Sequence, residues 1–350
     1  MQNVASHASM SMKIKKALTF RASSIGDCLM AKYLLENIHA QFPVARLGIV
    51  VGSRGAMIRD LFVAYPWLEV IEANRRNFKS LFYLWKNFHR SDLVVTQYAG
   101  KPGGRFSFGS KLFARILAKR GGLIGFTDAS GLNGMLYDAL LPHSLSDAPA
   151  ALEREALRAA GIPVMYEYPT IQCGSISNVP GKFGLVSGSF IVAHLFAGNK
   201  MRGLHPDKKR KLLVALTEKL PHTRLVISGG AADKEEAMHI AQNIEATVIA
   251  GEATLQEMMN LIAQSRAVVS VDTGMAHITA QLGKPLVVMR SCVGANWWLP
   301  EQYGKDARIT VFSRDDICAL GHDYSGYAKC LGAIDMDDVA KRAKEEFPIV

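Results

Sequence analysis

Residues 267–289 read AVVSVDTGMAHITAQLGKPLVVM, from Ala267 to Met289. The first five residues form an almost wholly apolar run, the pattern of a strand buried on both faces. Asp272-Thr273-Gly274 breaks that run, and an apolar period of helical type continues to Leu282. Gly283 is a helix stop, and Pro285 opens a second apolar run over 285–289. Strand, turn, helix and strand in so short a span specify a parallel crossover.

The same rhythm extends in both directions. Strand-like runs occur at 17–21, 45–51, 69–73, 92–98 and 123–126, with helix-like stretches at 27–41, 55–64, 76–89, 107–119 and 149–160. Residues 163–190 lack a helical period and contain Pro169, Gly174, Pro180, Gly181 and Gly184, which marks a connection. Strands resume at 190–196, 224–228, 247–250, 267–271 and 285–289, alternating with helices at 207–220, 232–244, 254–264 and 274–282. A last amphipathic helix spans 336–347. The expected fold is α/β, with two Rossmann-like doubly wound domains facing across a cleft and ligands outside the carboxyl ends of the strands. The expected boundaries are an unstructured extension over 1–12, an N-terminal domain over 13–172, a linker over 173–189 and a C-terminal domain over 190–350. The helix 336–347 is available to pack back on the N-terminal domain.

The chain has 350 residues, 49% apolar and 21% charged, which excludes disorder, collagen and coiled coil. No apolar run reaches the roughly 18 uncharged residues of a membrane span, and the polar start lacks the apolar core of a secretory signal. The five cysteines, at 28, 173, 292, 318 and 330, include no C-x-x-C pair. That suits a reducing, cytoplasmic setting and disfavours a zinc ribbon.

Charge is divided unevenly. Residues 1–172 hold 21 Lys/Arg against 12 Asp/Glu, and residues 173–350 hold 20 against 19, so nearly all of the net +10 lies in the first half. An anionic partner for that half follows: nucleic acid, a membrane surface or a phosphorylated substrate. No nucleic-acid-binding motif accompanies the charge, so nucleic acid is not expected. The basic residues are dense around Arg75, Arg76 and Lys79, where Phe78, Leu81, Phe82, Trp85 and Phe88 recur at helical spacing. The expectation is a crossover helix whose apolar stripe packs on its sheet and whose basic edge meets anionic lipid.

Four motifs bear on chemistry. Arg21-Ala-Ser23-Ser24-Ile-Gly26-Asp27 joins a strand to a helix. It reads as ordinary capping, or as a turn that sets the Asp27 carboxylate at the cleft to take a proton from a hydroxyl. Asp272, Thr273, Gly274, Met275 and His277 surround a helix N-terminus, a natural diphosphate site, although a capping turn with one structural His has the same pattern. Lys200 and Arg202 lie in the loop after the second domain's first strand and could neutralise a leaving diphosphate. Asp335-Met-Asp337 has the spacing of a metal-binding pair but directly precedes a helix, so capping is the better account and no metal is expected.

Taken together, the order and spacing of these motifs resemble glycosyltransferase family 9, the ADP-heptose:lipopolysaccharide heptosyltransferases. The resemblance runs from about Lys13 through R-x-S-S-x-G-D, Ile-Ser-Gly-Gly-x-x-Asp233 and the stretch Val271 to Pro285, to Cys330-Leu-Gly-Ala-Ile334. It implies a GT-B fold and inverting, metal-independent sugar transfer without a cofactor, the N-terminal domain binding acceptor and the C-terminal domain binding nucleotide sugar. By the same match Asp27 is the general base. Lys200 and Arg202 are rival diphosphate ligands, and the 272–277 turn contacts the donor. Ser23, Ser24, Gly26, Arg75, Arg76 and Lys79 are expected on the acceptor side. The implied donor is ADP-heptose and the implied acceptor an anionic, lipid-linked saccharide of the lipopolysaccharide core. The implied location is cytoplasmic, peripheral to the inner membrane. Where the family has an apolar-Gly-Pro-Thr turn, this chain has Met289-Arg-Ser-Cys-Val-Gly-Ala-Asn-Trp-Trp298. The alternatives are therefore a transferase using another nucleotide sugar, such as UDP-N-acetylglucosamine, or a nucleotide-sugar epimerase on the same fold.

Overall fold

The computed structural model describes residues 13–74, 77–98, 104–131, 133–299, 302–318 and 326–347. It divides into two compact units, one of residues 1–59 and 65–167, the other of 60–64 and 168–350. Among the described residues, no helix is long and apolar enough to cross a membrane.

The first unit contains a six-stranded sheet of β1 (Lys16–Arg21), β2 (Arg46–Val51), β3 (Leu68–Glu72), β4 (Leu93–Val95), β5 (Leu123–Phe126) and β6 (Ala139–Leu141). Its order is β3-β2-β1-β4-β5-β6, and every pairing is parallel. The second unit contains β7 (Phe190–His194), β8 (Arg224–Ser228), β9 (Ala246–Val248), β10 (Ala267–Val271), β11 (Leu286–Met289) and β12 (Ile309–Phe312), ordered β12-β11-β10-β7-β8-β9 and again all parallel. Each sheet thus has the doubly wound order, with a topological switch point between β1 and β4 in one unit and between β7 and β10 in the other.

Central strands are buried along almost their whole length, as parallel sheets covered by helices require. The helix Ile25–Gln41 is largely buried, whereas Phe78–Phe88 buries only Leu84 and Phe88. That corrects the expected orientation of its aromatic stripe: Phe78, Phe82 and Trp85 are exposed, Phe78 to 79%. From that stripe Phe88 is buried as expected, and Leu84 joins it, in a core shared with Leu18, Val94 and Leu117. Helix Met336–Glu346 belongs to the second unit. It packs on helix Pro206–Lys219, and Met336, Val339, Ala340 and Ala343 join the second unit's own core. Asp335 caps it, accepting from the Asp337 N–H at 2.9 Å, as the capping account requires.

One polar pair lies deep in the first unit. Arg21, the last residue of β1, makes a bidentate ion pair with Glu153 of helix Pro149–Ala159 at 2.7 and 2.8 Å, both side chains being almost wholly enclosed. Burial pushes the Glu153 carboxyl up to about 7, against the lowering effect of Arg21. Breaking such a pair leaves a charge unpaired in the core, whereas replacing both partners with apolar groups does not. At pH 8, Arg21→Met should lower unfolding free energy by about 3–5 kcal/mol, and adding Glu153→Leu should recover most of it. Chemical denaturation reads both, and equal losses in the single and double variants would contradict this account.

Candidate functional site

The turn after β1 is stitched down residue by residue. Arg21 is held by Glu153, the Ala22 N–H donates to the Gln97 side-chain carbonyl, and Ser23 Oγ accepts from the Ser53 N–H at 3.0 Å. Ser24 caps the helix Ile25–Gln41: its Oγ accepts from the Asp27 N–H at 3.2 Å and donates to Asp27 Oδ2 at 2.5 Å. The capping reading of this motif is therefore correct for Ser24, and the same bonds hold the half-buried Asp27 carboxylate at the helix's first turn. Gly26 is buried within that turn. Gln97 follows β4, so its bond to Ala22 closes the turn across the sheet's switch point.

A cavity of about 420 Å³ opens beside this turn, over the carboxyl ends of β1 and β2. Ser23, Asn74, Ser107 and Ser110 give it hydroxyl and amide groups, and Phe20 and Phe113 wall it. Of the residues expected on the acceptor side, Ser23 lines this cavity and Lys79 is exposed on helix Phe78–Phe88. Arg75 and Arg76 lie outside the described residues.

In the second unit a corner forms at the other switch point. Arg202 belongs to the short turn Lys200–Arg202 after β7, and Asp272 follows β10, its parallel neighbour. Asp272 is 1% exposed and His277 4%, so both side chains face inward. The Trp298 indole N–H donates to Asp272 Oδ1 at 3.0 Å, and His277 Nε2 lies 3.5 Å from the same oxygen. His277 stacks on the Trp298 ring at 4.7 Å, and its Nδ1 is 2.7 Å from the Tyr303 hydroxyl. Burial acts to raise the Asp272 carboxyl, but His277, Arg202 and the indole outweigh it and hold it below the usual range.

Beside that network the helix Gly274–Gln281 begins at Thr273, whose side chain makes no capping bond. Among the described residues, Thr273 Oγ1 is buried with no hydrogen-bond partner, and so is Asp272 Oδ2, which faces Arg202 Nε at 3.7 Å. A helix start leaves its first N–H groups without intrahelical acceptors and bears partial positive charge. Arg202 adds a guanidinium held at the corner by Asp272, while Lys200 is exposed. Gly294 closes the corner: its φ is +81°, and a Cβ there would stand 3.4 Å from Asp272 Oδ2.

Nothing local in the sequence singles out Glu153, Gln97, Ser53 or Tyr303. Each lies far along the chain from the group it supports, and none belongs to a recognisable spacing. Trp297 and Trp298 were visible only as a departure from the family's turn. Their roles differ, which gives a test. Trp298→Phe removes the buried donor to Asp272 and should cost about 1–3 kcal/mol in denaturant unfolding. Trp297→Phe should cost much less; equal costs would contradict the assignment.

Residues 206–289 match the family model of glycosyltransferase family 9 (heptosyltransferase). No curated protein sequence matches the chain. Among solved structures, ADP-heptose lps heptosyltransferase II of E. coli is similar with a TM-score of 0.70 at 21% identity, over 95% of this chain and 98% of that one. Glycosyl transferase family 9 from Veillonella parvula gives 0.74 at 14%, over 97% and 98%. E. coli heptosyltransferase WaaC with ADP gives 0.68 at 17%, over 95% and 99%. These likenesses show a GT-B-type fold. With the family match over 206–289, the resemblance read from the motifs holds, and the chain is a glycosyltransferase with a family 9 (heptosyltransferase) segment in its second unit.

Proposed function

We propose that this glycosyltransferase performs inverting transfer of heptose from ADP-heptose to an anionic, lipid-linked saccharide of the lipopolysaccharide core. The observation that bears most weight is the uncapped start of helix Gly274–Gln281, with the unpartnered Thr273 hydroxyl and Arg202 beside it. Backbone N–H groups of Gly274 and Met275, the Thr273 hydroxyl and Arg202 would hold the donor diphosphate. Lys200 would approach from solvent. Asp272 and His277 would serve as positioning residues, keeping Arg202 and the helix start in place. The relatives support the choice of donor, since one is named for ADP-heptose and another was solved with ADP.

In this mechanism Asp27 takes the proton from the acceptor hydroxyl as that oxygen attacks the anomeric carbon. The bond from that carbon to the diphosphate oxygen breaks on the opposite face, and ADP leaves with the added negative charge. The helix start and Arg202 stabilise that charge as it grows. No step needs a metal. The acceptor would occupy the cavity beside Ser23, where hydroxyl and amide groups suit a saccharide.

A general base contributes about 10²–10⁴-fold, so Asp27→Asn should lose at least roughly a hundredfold in turnover. The ADP-heptose-dependent rise in melting temperature should survive. Near-normal turnover would remove Asp27 from the reaction. A larger shift with UDP-N-acetylglucosamine than with ADP-heptose would favour the other donor, and epimerised free sugar nucleotide formed without acceptor would favour the epimerase.

The acceptor's lipid setting is supported by the first unit's surface. Phe78, Phe82 and Trp85 on one helix, and Phe108, Leu112 and Ile116 on its neighbour Phe108–Leu117, are exposed at helical spacing. Lys79 and Lys86 are exposed among the first set. Aromatics with flanking cations suit an anionic membrane interface, and the proposed site of action is the cytoplasmic face of the inner membrane. Sedimentation with phosphatidylglycerol vesicles should show binding that weakens with salt and falls in Phe82→Asp and Trp85→Asp. Binding unchanged in those variants would contradict this surface.

A further inference from the structure

The three cysteines Cys292, Cys318 and Cys330 were scattered in sequence, yet the fold gathers them. Cys292 follows β11, Cys318 ends the turn Asp315–Cys318, and Cys330 lies in the short helix Lys329–Gly332. Their sulfur atoms all lie within 4.8 Å of one another. Two of the segments are clamped independently of the thiols: Arg290, next to the end of β11, makes a bidentate ion pair with Asp315 at 2.7 and 2.9 Å. The helix Lys329–Gly332 packs on the same turn. Cys330 is fully buried, and the other two are half-buried at the margin of the second unit's core.

Three thiols could meet as small packing groups. Packing alone, however, does not require three separate segments to aim sulfur at one point, and metal thiolate sites do. Around a tetrahedral zinc ion with bonds of about 2.3 Å, sulfur atoms stand about 3.8 Å apart, which the observed cluster reaches with small side-chain shifts. Soft thiolate ligands select zinc-like ions over magnesium or calcium.

We infer that Cys292, Cys318 and Cys330 bind one zinc-type divalent ion, separate from the sugar-transfer chemistry. Binding converts three thiols to thiolates and releases three protons to solvent. Among the described residues, these three thiols are the ligand atoms that the cluster brings together. The ion would tie the loop after β11 to the 315–318 turn and to the helix at 329–332. That loop also bears Gly294 and Trp298, so the metal would stiffen the wall of the donor corner from behind. The expectation that the chain holds no metal, drawn where Asp335-Met-Asp337 reads as helix capping, would then be wrong for this cluster.

The test uses the full chain, reduced and freed of metal by a chelator, then titrated with Co²⁺. One equivalent should produce intense sulfur-to-cobalt absorbance in the near ultraviolet, and Zn²⁺ should abolish it by displacement. Cys318→Ser and Cys292→Ser should each lose most of that absorbance, with circular dichroism showing the fold retained. Cys28→Ser with Cys173→Ser should keep it, because neither belongs to the cluster. Wild-type protein that gives no thiolate absorbance, or cluster variants that keep it in full, would overturn the inference.

Discussion

The constraint on which the molecule depends is the reversal of strand order in a doubly wound sheet. Helices leave β1 and β4, or β7 and β10, toward opposite faces, so a crevice opens where those neighbours end. Backbone lining that crevice cannot be filled by a crossover helix and must be held by side chains. In the first unit that task falls to Arg21 with Glu153 and to Gln97 with the Ala22 N–H. In the second it falls to Asp272 with Trp298, His277 and Arg202. The groups assigned to chemistry, Asp27 in one unit and the start of helix Gly274–Gln281 in the other, are the groups those networks immobilise.

In the proposed division of labour, the most buried charged residues are positioning residues. Buried charges are costly unless paired, so they are found where they hold other parts in place. Asp272 illustrates the point. Its Oδ1 accepts from an indole and lies 3.5 Å from an imidazole, and its Oδ2 faces a guanidinium at 3.7 Å. The group offered outward is what it steadies: a helix start with unused N–H groups and a cation beside it.

Much of the architecture was legible because buried parallel strands are runs of apolar residues, and helices between them start and stop on recognisable residues. The crossover of 267–289 is plain for that reason. β6 and β12 were not read as strands, since each is a short edge strand without a buried apolar run. In the helix Phe78–Phe88 the conspicuous aromatic stripe misleads in part: Phe88 is buried as expected, but Phe78, Phe82 and Trp85 are exposed and Leu84 is the second buried residue. Long-range partners were invisible in principle. Nothing local to Arg21 announces Glu153, and nothing in cysteine spacings of this kind announces that three sulfurs meet. The site was legible as motifs but not as a division of labour.

The central proposal is a single displacement, in which the acceptor oxygen attacks the anomeric carbon as the diphosphate leaves. It is tested most directly by the stereochemistry of the product. Nuclear magnetic resonance of the transferred sugar, through the one-bond carbon–proton coupling at its anomeric centre, should show configuration opposite to that of the donor. A product with the donor's configuration retained would contradict the account, because retention requires a route that one base and one displacement do not provide.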